Sequence, residues 1–128
     1  MSSIMKHKEL DDKIVSAYST LFNKQNDHAF ALCTEALEQS IKSEYHRGIG
    51  ACHVLLAKIY SLKQEWDKAI NESNLALTLY FRTKDIVAAA YRLYDLALLH
   101  SQAEHHTTAI DYCTKALEAF QEIDDKYG

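Results

Sequence analysis

The sequence predicts an all-α protein, a repeat of three antiparallel helix pairs. Three observations lead there. The 128 residues include no proline and only three glycines, too little turn chemistry for a sandwich or barrel of many short strands. Apolar residues recur at three- and four-residue spacing, the period of one buried helical stripe. The chain also repeats itself: shifted by 40, it matches in all three copies at Ala17/Ala57/Ala97, Ala29/Ala69/Ala109, Ala36/Ala76/Ala116 and Leu37/Leu77/Leu117. With alanine at about one position in eight, an all-alanine column arises by chance about once in 500, so three of them mark a genuine repeat.

Each unit reads as two helices, giving six at about 8–22, 27–43, 47–62, 66–82, 85–101 and 106–122. The first carries Ala17, and residues 1–7 before it are expected to fray. The second is marked by Ala29, Phe30, Cys33, Ala36, Leu37 and Ile41 along one stripe. The third contains Ala51, Val54, Leu55, Ala57, Tyr60 and Leu62. The fourth repeats the stripe as Ala69, Ile70, Ser73, Ala76, Leu77, Tyr80 and Phe81. The fifth carries Ala97, and the sixth shows Ala109, Ile110, Cys113, Ala116, Leu117 and Phe120. Turns fall near 23–26, 43–46, 62–65, 82–84 and 102–105. The expectation is one domain over 1–128, with units at 8–46, 47–84 and 85–124. Ala29 and Ala36 lie two turns apart on one face, where small side chains let helices approach and cross closely.

Composition removes whole classes of function. Net charge is −4 and no basic run is present, against the phosphate-neutralising charge of nucleic-acid binding. The amino terminus turns charged before a signal peptide's apolar segment could form. The longest uncharged, mostly apolar run, Gly48 to Ala57, is too short to span a bilayer. Three cysteines, an odd number, do not make a disulfide framework. A cytoplasmic, reduced location is expected.

Metal and catalytic chemistry find little support. Cys33 and Cys113 occupy equivalent positions in the buried stripe where the middle unit has Ser73, which suits small packed residues. Cys52 has no ligand-spaced partner, and the adjacent His105 and His106 would point about 100° apart on a helix. No nucleophile elbow, phosphate loop or metalloprotease motif is present. The expectation is a non-enzyme without cofactor or metal. A small enzyme or metal protein is the competing class, and a stoichiometric metal would favour it.

The residues carry a resemblance. Leu56-Ala57-Lys58-Ile59-Tyr60, then Trp66-Asp67-Lys68-Ala69-Ile70, then Leu75-Ala76-Leu77 resemble a tetratricopeptide repeat. The likeness runs through residues 11 to 128. The 40-residue period resembles the long-helix variants found in signalling adaptors and bacterial regulators. The glycine usual between the helices is replaced by Lys24, Gln64 and Glu104. The resemblance implies a right-handed superhelix, an α-solenoid, whose concave groove, lined by the first helix of each pair, binds a protein or peptide. Tyr18, Lys58, Tyr91, Tyr94 and Asp95 are its candidate contacts. Tyrosines on such a wall offer rigid, amphipathic contact area; alternatively, they fill the space between units. The family's carboxylate clamp is not expected, since Ile14, Tyr18 and Val54 stand at clamp positions.

The far end of the array is expected to be sticky. Its sixth helix carries Phe120, and Ile123 and Tyr127 follow, without a polar capping helix. Tyr112, Leu117 and Phe120 are the candidate self-association residues. They imply a homodimer, or a sensory or dimerisation segment of a larger signalling regulator.

Overall fold

In the computed structural model, which describes residues 3–127, the chain forms six helices and, among the described residues, no strand. They are α1 (Ser3–Phe22), α2 (Asn26–Lys42), α3 (His46–Leu62), α4 (Trp66–Arg82), α5 (Ile86–Gln102) and α6 (His106–Tyr127). Each packs on its neighbours in sequence, and α1 also packs on α3. The result is an all-α, solenoid-like stack.

Five identical turns generate it. After α2, Tyr45 N–H donates to Ser40 O and Glu44 N–H to Ile41 O, the paired bonds of a Schellman motif. The same pair of bonds closes α1, α3, α4 and α5. The residue between the two bonds must be left-handed, and it is Lys24, Glu44, Gln64, Lys84 and Glu104, with φ of 64°, 53°, 60°, 61° and 64°. None is glycine, so each holds a conformation that costs an L-residue about 1–2 kcal/mol. Successive turns lie 20 residues apart, so the 40-residue unit is two equal halves.

The helix starts and ends move slightly from the sequence expectation because every joint obeys this 20-residue spacing. The expected fraying of residues 1–7 gives way to helix from Ser3 onward; residues 1–2 lie outside the described part. The His7 ring stacks on Tyr45 at 3.9 Å, Leu10 is buried, and Tyr45 Oη donates to Asp11 at 2.7 Å. These contacts hold the start of α1 against the α2–α3 joint. At the other end α6 runs to Tyr127, five residues beyond the expected limit.

The core forms in two blocks. Ile14, Ala17, Ala29, Cys33 and Ala36 of the first pair meet Cys52, Leu55, Leu56 and Ile59 of α3. Leu77 of α4 and Ala116 of α6 meet Ala89, Leu93 and Leu96 of α5. The repeated alanines are therefore crossing points. Two glycines in α3 serve the same end: a Cβ at Gly48 would stand 2.5 Å from Ser40 Oγ, and one at Gly50 would stand 2.6 Å from Tyr80 Oη. Glycine weakens a helix interior by about 1 kcal/mol relative to alanine, and here it permits contacts no side chain would allow.

The expected buried stripe is corrected in several places. Ile41 and Phe81, near the ends of α2 and α4, are exposed. In α6, Ile110 and Leu117 are exposed, and Cys113 is exposed while its counterpart Cys33 is buried. Their equivalents are covered by the next helix pair, and no helix of the described chain lies over α6.

Candidate functional site

An open cavity of about 370 Å³ is lined mainly by α3 and α5, with Leu21 of α1 at its edge. Val54, Ala57, Leu62, Leu98, Leu99 and Leu21 supply apolar walls, and Ser73 of α4 reaches the floor. Lys58 and Asp95 line it from α3 and α5. Lys58 sits one residue beyond the alanine of the helix crossing, which turns it from the packed side toward solvent. Of the expected groove contacts, the structure brings Lys58 and Asp95 together.

Asp95 does not stand alone. Arg92, one turn earlier on α5, places its Nε 3.1 Å from Asp95 Oδ2. The two are close enough for an ion pair but misaligned for a hydrogen bond, leaving that buried Nε without a hydrogen-bond partner. Tyr18 on α1 is about one-third exposed. Burial pushes its phenol above the ordinary value, with the Arg92 cation pulling the other way. Arg92 was invisible to repeat reasoning, because its equivalents are Asp12 and Cys52. The largely buried Arg92, paired with Asp95, stands where the second unit has the buried Cys52.

The other tyrosines belong elsewhere. Tyr91 meets Phe120 of α6 edge to face, with ring centroids 5.1 Å apart. Tyr94 is the counterpart of Ile14 and Val54, which are each 6% exposed, yet it is 48% exposed. It marks the uncovered end of the array. Of the residues expected at that end, Leu117 is exposed and Phe120 is half-buried under Tyr91. Tyr112 instead stacks on His100, ring centroids 5.3 Å apart, within the third helix pair.

Histidines and cysteines form local contacts. Cys33 Sγ donates to the Cys52 carbonyl at 3.3 Å; contact with the Cys52 side chain and burial push its thiol up. His53 Nδ1 and the Glu72 carboxylate, 2.6 Å apart and largely buried, tie α3 to α4 outside the groove. His100 and His105 face each other through their Nδ1 atoms at 3.1 Å. Among the described residues no three His, Cys, Asp or Glu side chains converge as a metal set. No helix of the described residues is long and apolar enough to cross a membrane.

No protein-family model matches the chain, and no curated protein does. Among solved structures it is similar to the TPR domain of Arabidopsis FLU, with a TM-score of 0.83 at 14% sequence identity. That match covers 91% of this chain and 98% of the other. At that identity the likeness speaks for architecture alone. With six helices stacked as three antiparallel pairs, this chain has the tetratricopeptide-repeat fold.

Proposed function

We propose that the protein is a non-catalytic recognition scaffold that holds a segment of a partner protein in the cavity lined mainly by α3 and α5. One observation carries the reading: a preformed apolar recess whose two ionised side chains, Lys58 and Asp95, come from different helices. Such a surface can bury an apolar anchor while the charges fix its orientation. The carboxylate nearest the recess is already paired with Arg92, which suits positioning better than proton transfer. A net charge of −4 favours a protein over a nucleic-acid partner.

The test is selection of binders from a random peptide library on the intact chain, followed by affinity measurement. An anchored Leu or Phe side chain contributes about 1.5–3 kcal/mol when buried. Leu98→Asp and Lys58→Glu are each expected to weaken selected peptides at least tenfold, with Val15→Ala as a neutral control. Selected peptides indifferent to both groove variants would overturn the reading.

A further inference from the structure

The third helix pair carries an apolar face that the first two pairs show how to cover. α3 lays Cys52, Leu55, Leu56 and Ile59 over Ile14 and Cys33 of the first pair. α5 lays Leu93 and Leu96 over Leu77 of the second. The same positions in the third pair are Tyr94, Cys113 and Leu117, and all are exposed. Ile110 continues the row one turn back on α6 and is 66% exposed, as is Leu117.

A second feature runs beside that row. Asp111 and Glu118 each follow one of its residues, Ile110 and Leu117, and so stand about 100° further round α6. With Glu122 they form an exposed strip of three carboxylates, with Lys115 the one cation among them. None of the three belongs to an ion pair among the described residues. Lys115, the cation nearest in sequence, sits over the Tyr112 ring at 5.2 Å. At the same positions α4 has Asn71, Thr78 and Arg82, and α2 has Ala31, Glu38 and Lys42, so the strip is a property of this end.

We propose that this end of the array docks an amphipathic helix of a partner protein whose apolar stripe is flanked by lysine or arginine. The covering helices inside the chain set the shape of the occupant. α3, which covers the first pair, carries Arg47 and Lys58 and no carboxylate. A second copy is a poorer occupant. Its α1 offers Asp12, Ser16 and Ser19 where a covering helix has Cys52, Leu56 and Ile59, and its own α6 would bring acid against acid.

Two synthetic peptides test this by fluorescence anisotropy on the intact chain, each 17 residues long like α3. Both share one Leu/Ile stripe at i, i+3, i+4 and i+7; lysines flank it in one and glutamates in the other. The lysine peptide is expected to bind at least tenfold tighter, with the gap narrowing as salt rises. Ile110→Ser with Leu117→Ser is expected to weaken it at least tenfold at unchanged helicity. Asp111→Lys with Glu118→Lys is expected to reverse the preference, and Lys58→Glu in the cavity of α3 and α5 to leave it unchanged. Equal affinity for both peptides, or loss through Lys58→Glu instead of Leu117→Ser, would overturn the proposal. So would a concentration-dependent dimer, seen by light scattering, that Leu117→Ser abolishes; the face would then belong to a second copy.

Discussion

The two ends of the array are built from equivalent positions and finish differently. On the α1 side, positions that are buried as Cys52, Leu55, Leu56 and Ile59 in the middle unit become Asp12, Val15, Ser16 and Ser19. Three of the four turn polar, which is how a stacked repeat makes its outermost surface compatible with water. On the α6 side, positions buried or half-buried as Val54, Ile70, Ser73 and Leu77 become Tyr94, Ile110, Cys113 and Leu117. None of the four turns charged, and all are exposed. One end is mostly polar where it meets solvent and the other apolar, and the difference lies in composition alone, since the turns at both ends have the same geometry.

Truncation at matched positions is the strongest way to break that comparison. Leu55 is fully buried, and Leu55→Ala should cost about 2–5 kcal/mol in denaturant unfolding, transfer and cavity terms together. Val15, its equivalent, is 65% exposed, and Val15→Ala should stay within about 0.5 kcal/mol. At the other end Leu77→Ala should cost several times more than Leu117→Ala, the two being 9% and 66% exposed. Equal losses for Leu77 and Leu117 would mean that something already covers α6 in solution.

The next effect concerns how the third pair is held. Asp85 is the N-cap of α5, its Oδ1 accepting from Ala88 N–H at 3.1 Å. Gln25, Tyr45 and Glu65 stand at the same place before α2, α3 and α4 and make no such bond. Asp85→Ala should therefore lower stability by about 1 kcal/mol, whereas Glu65→Ala should change it little. Hydrogen exchange of α5 and α6 amides would report the loosening at the open end first.

The architecture was legible because packing wrote it into residue types. Ala17, Ala29 and Ala36 and their copies recur where backbones cross, and a crossing tolerates little else. The 20-residue half-period was hidden, because Lys24, Glu44, Gln64, Lys84 and Glu104 occupy left-handed positions that glycine would have advertised. Gly48 and Gly50 were hidden for the converse reason: glycine in a helix reads as weakness until Ser40 and Tyr80 are seen pressing on it. Lys58 and Asp95, which the resemblance puts on the first helices of their pairs, line one cavity. Tyr91 does not, since Phe120 draws it toward α6, and Arg92 has no counterpart in the other units to mark it.

Those left-handed turns give a smaller and opposite effect. Glycine adopts the conformation without the Cβ penalty but has more freedom to lose on folding. The first contribution exceeds the second, so Gln64→Gly should raise stability by about 0.5–1 kcal/mol. The φ of 60° at Gln64 and 64° at Glu104 are nearly equal, so Glu104→Gly should gain a similar amount. A gain in the interior turn without one in the last would show that α6 is already loosening from α5.

The smallest effect is a pH dependence that distinguishes the third unit from the second. Tyr60 of the middle unit sets its ring against Phe30 of the first, centroids 5.9 Å apart. His100 holds the equivalent place in the third and stacks on Tyr112. Burial lowers the His100 pKa below its usual 6.5, and neighbouring His105 lowers it further. The folded protein thus takes up this proton less readily than the unfolded chain does. Above the ordinary value both states are neutral and nothing is lost. As pH falls through about 6.5 the unfolded chain is protonated first, so stability drops until the folded value is reached. His100→Tyr, which restores the middle unit's residue, should remove that part of the acid-side loss. Unfolding midpoints of the two proteins should converge toward neutral pH if mildly acid conditions loosen the third unit through this ring.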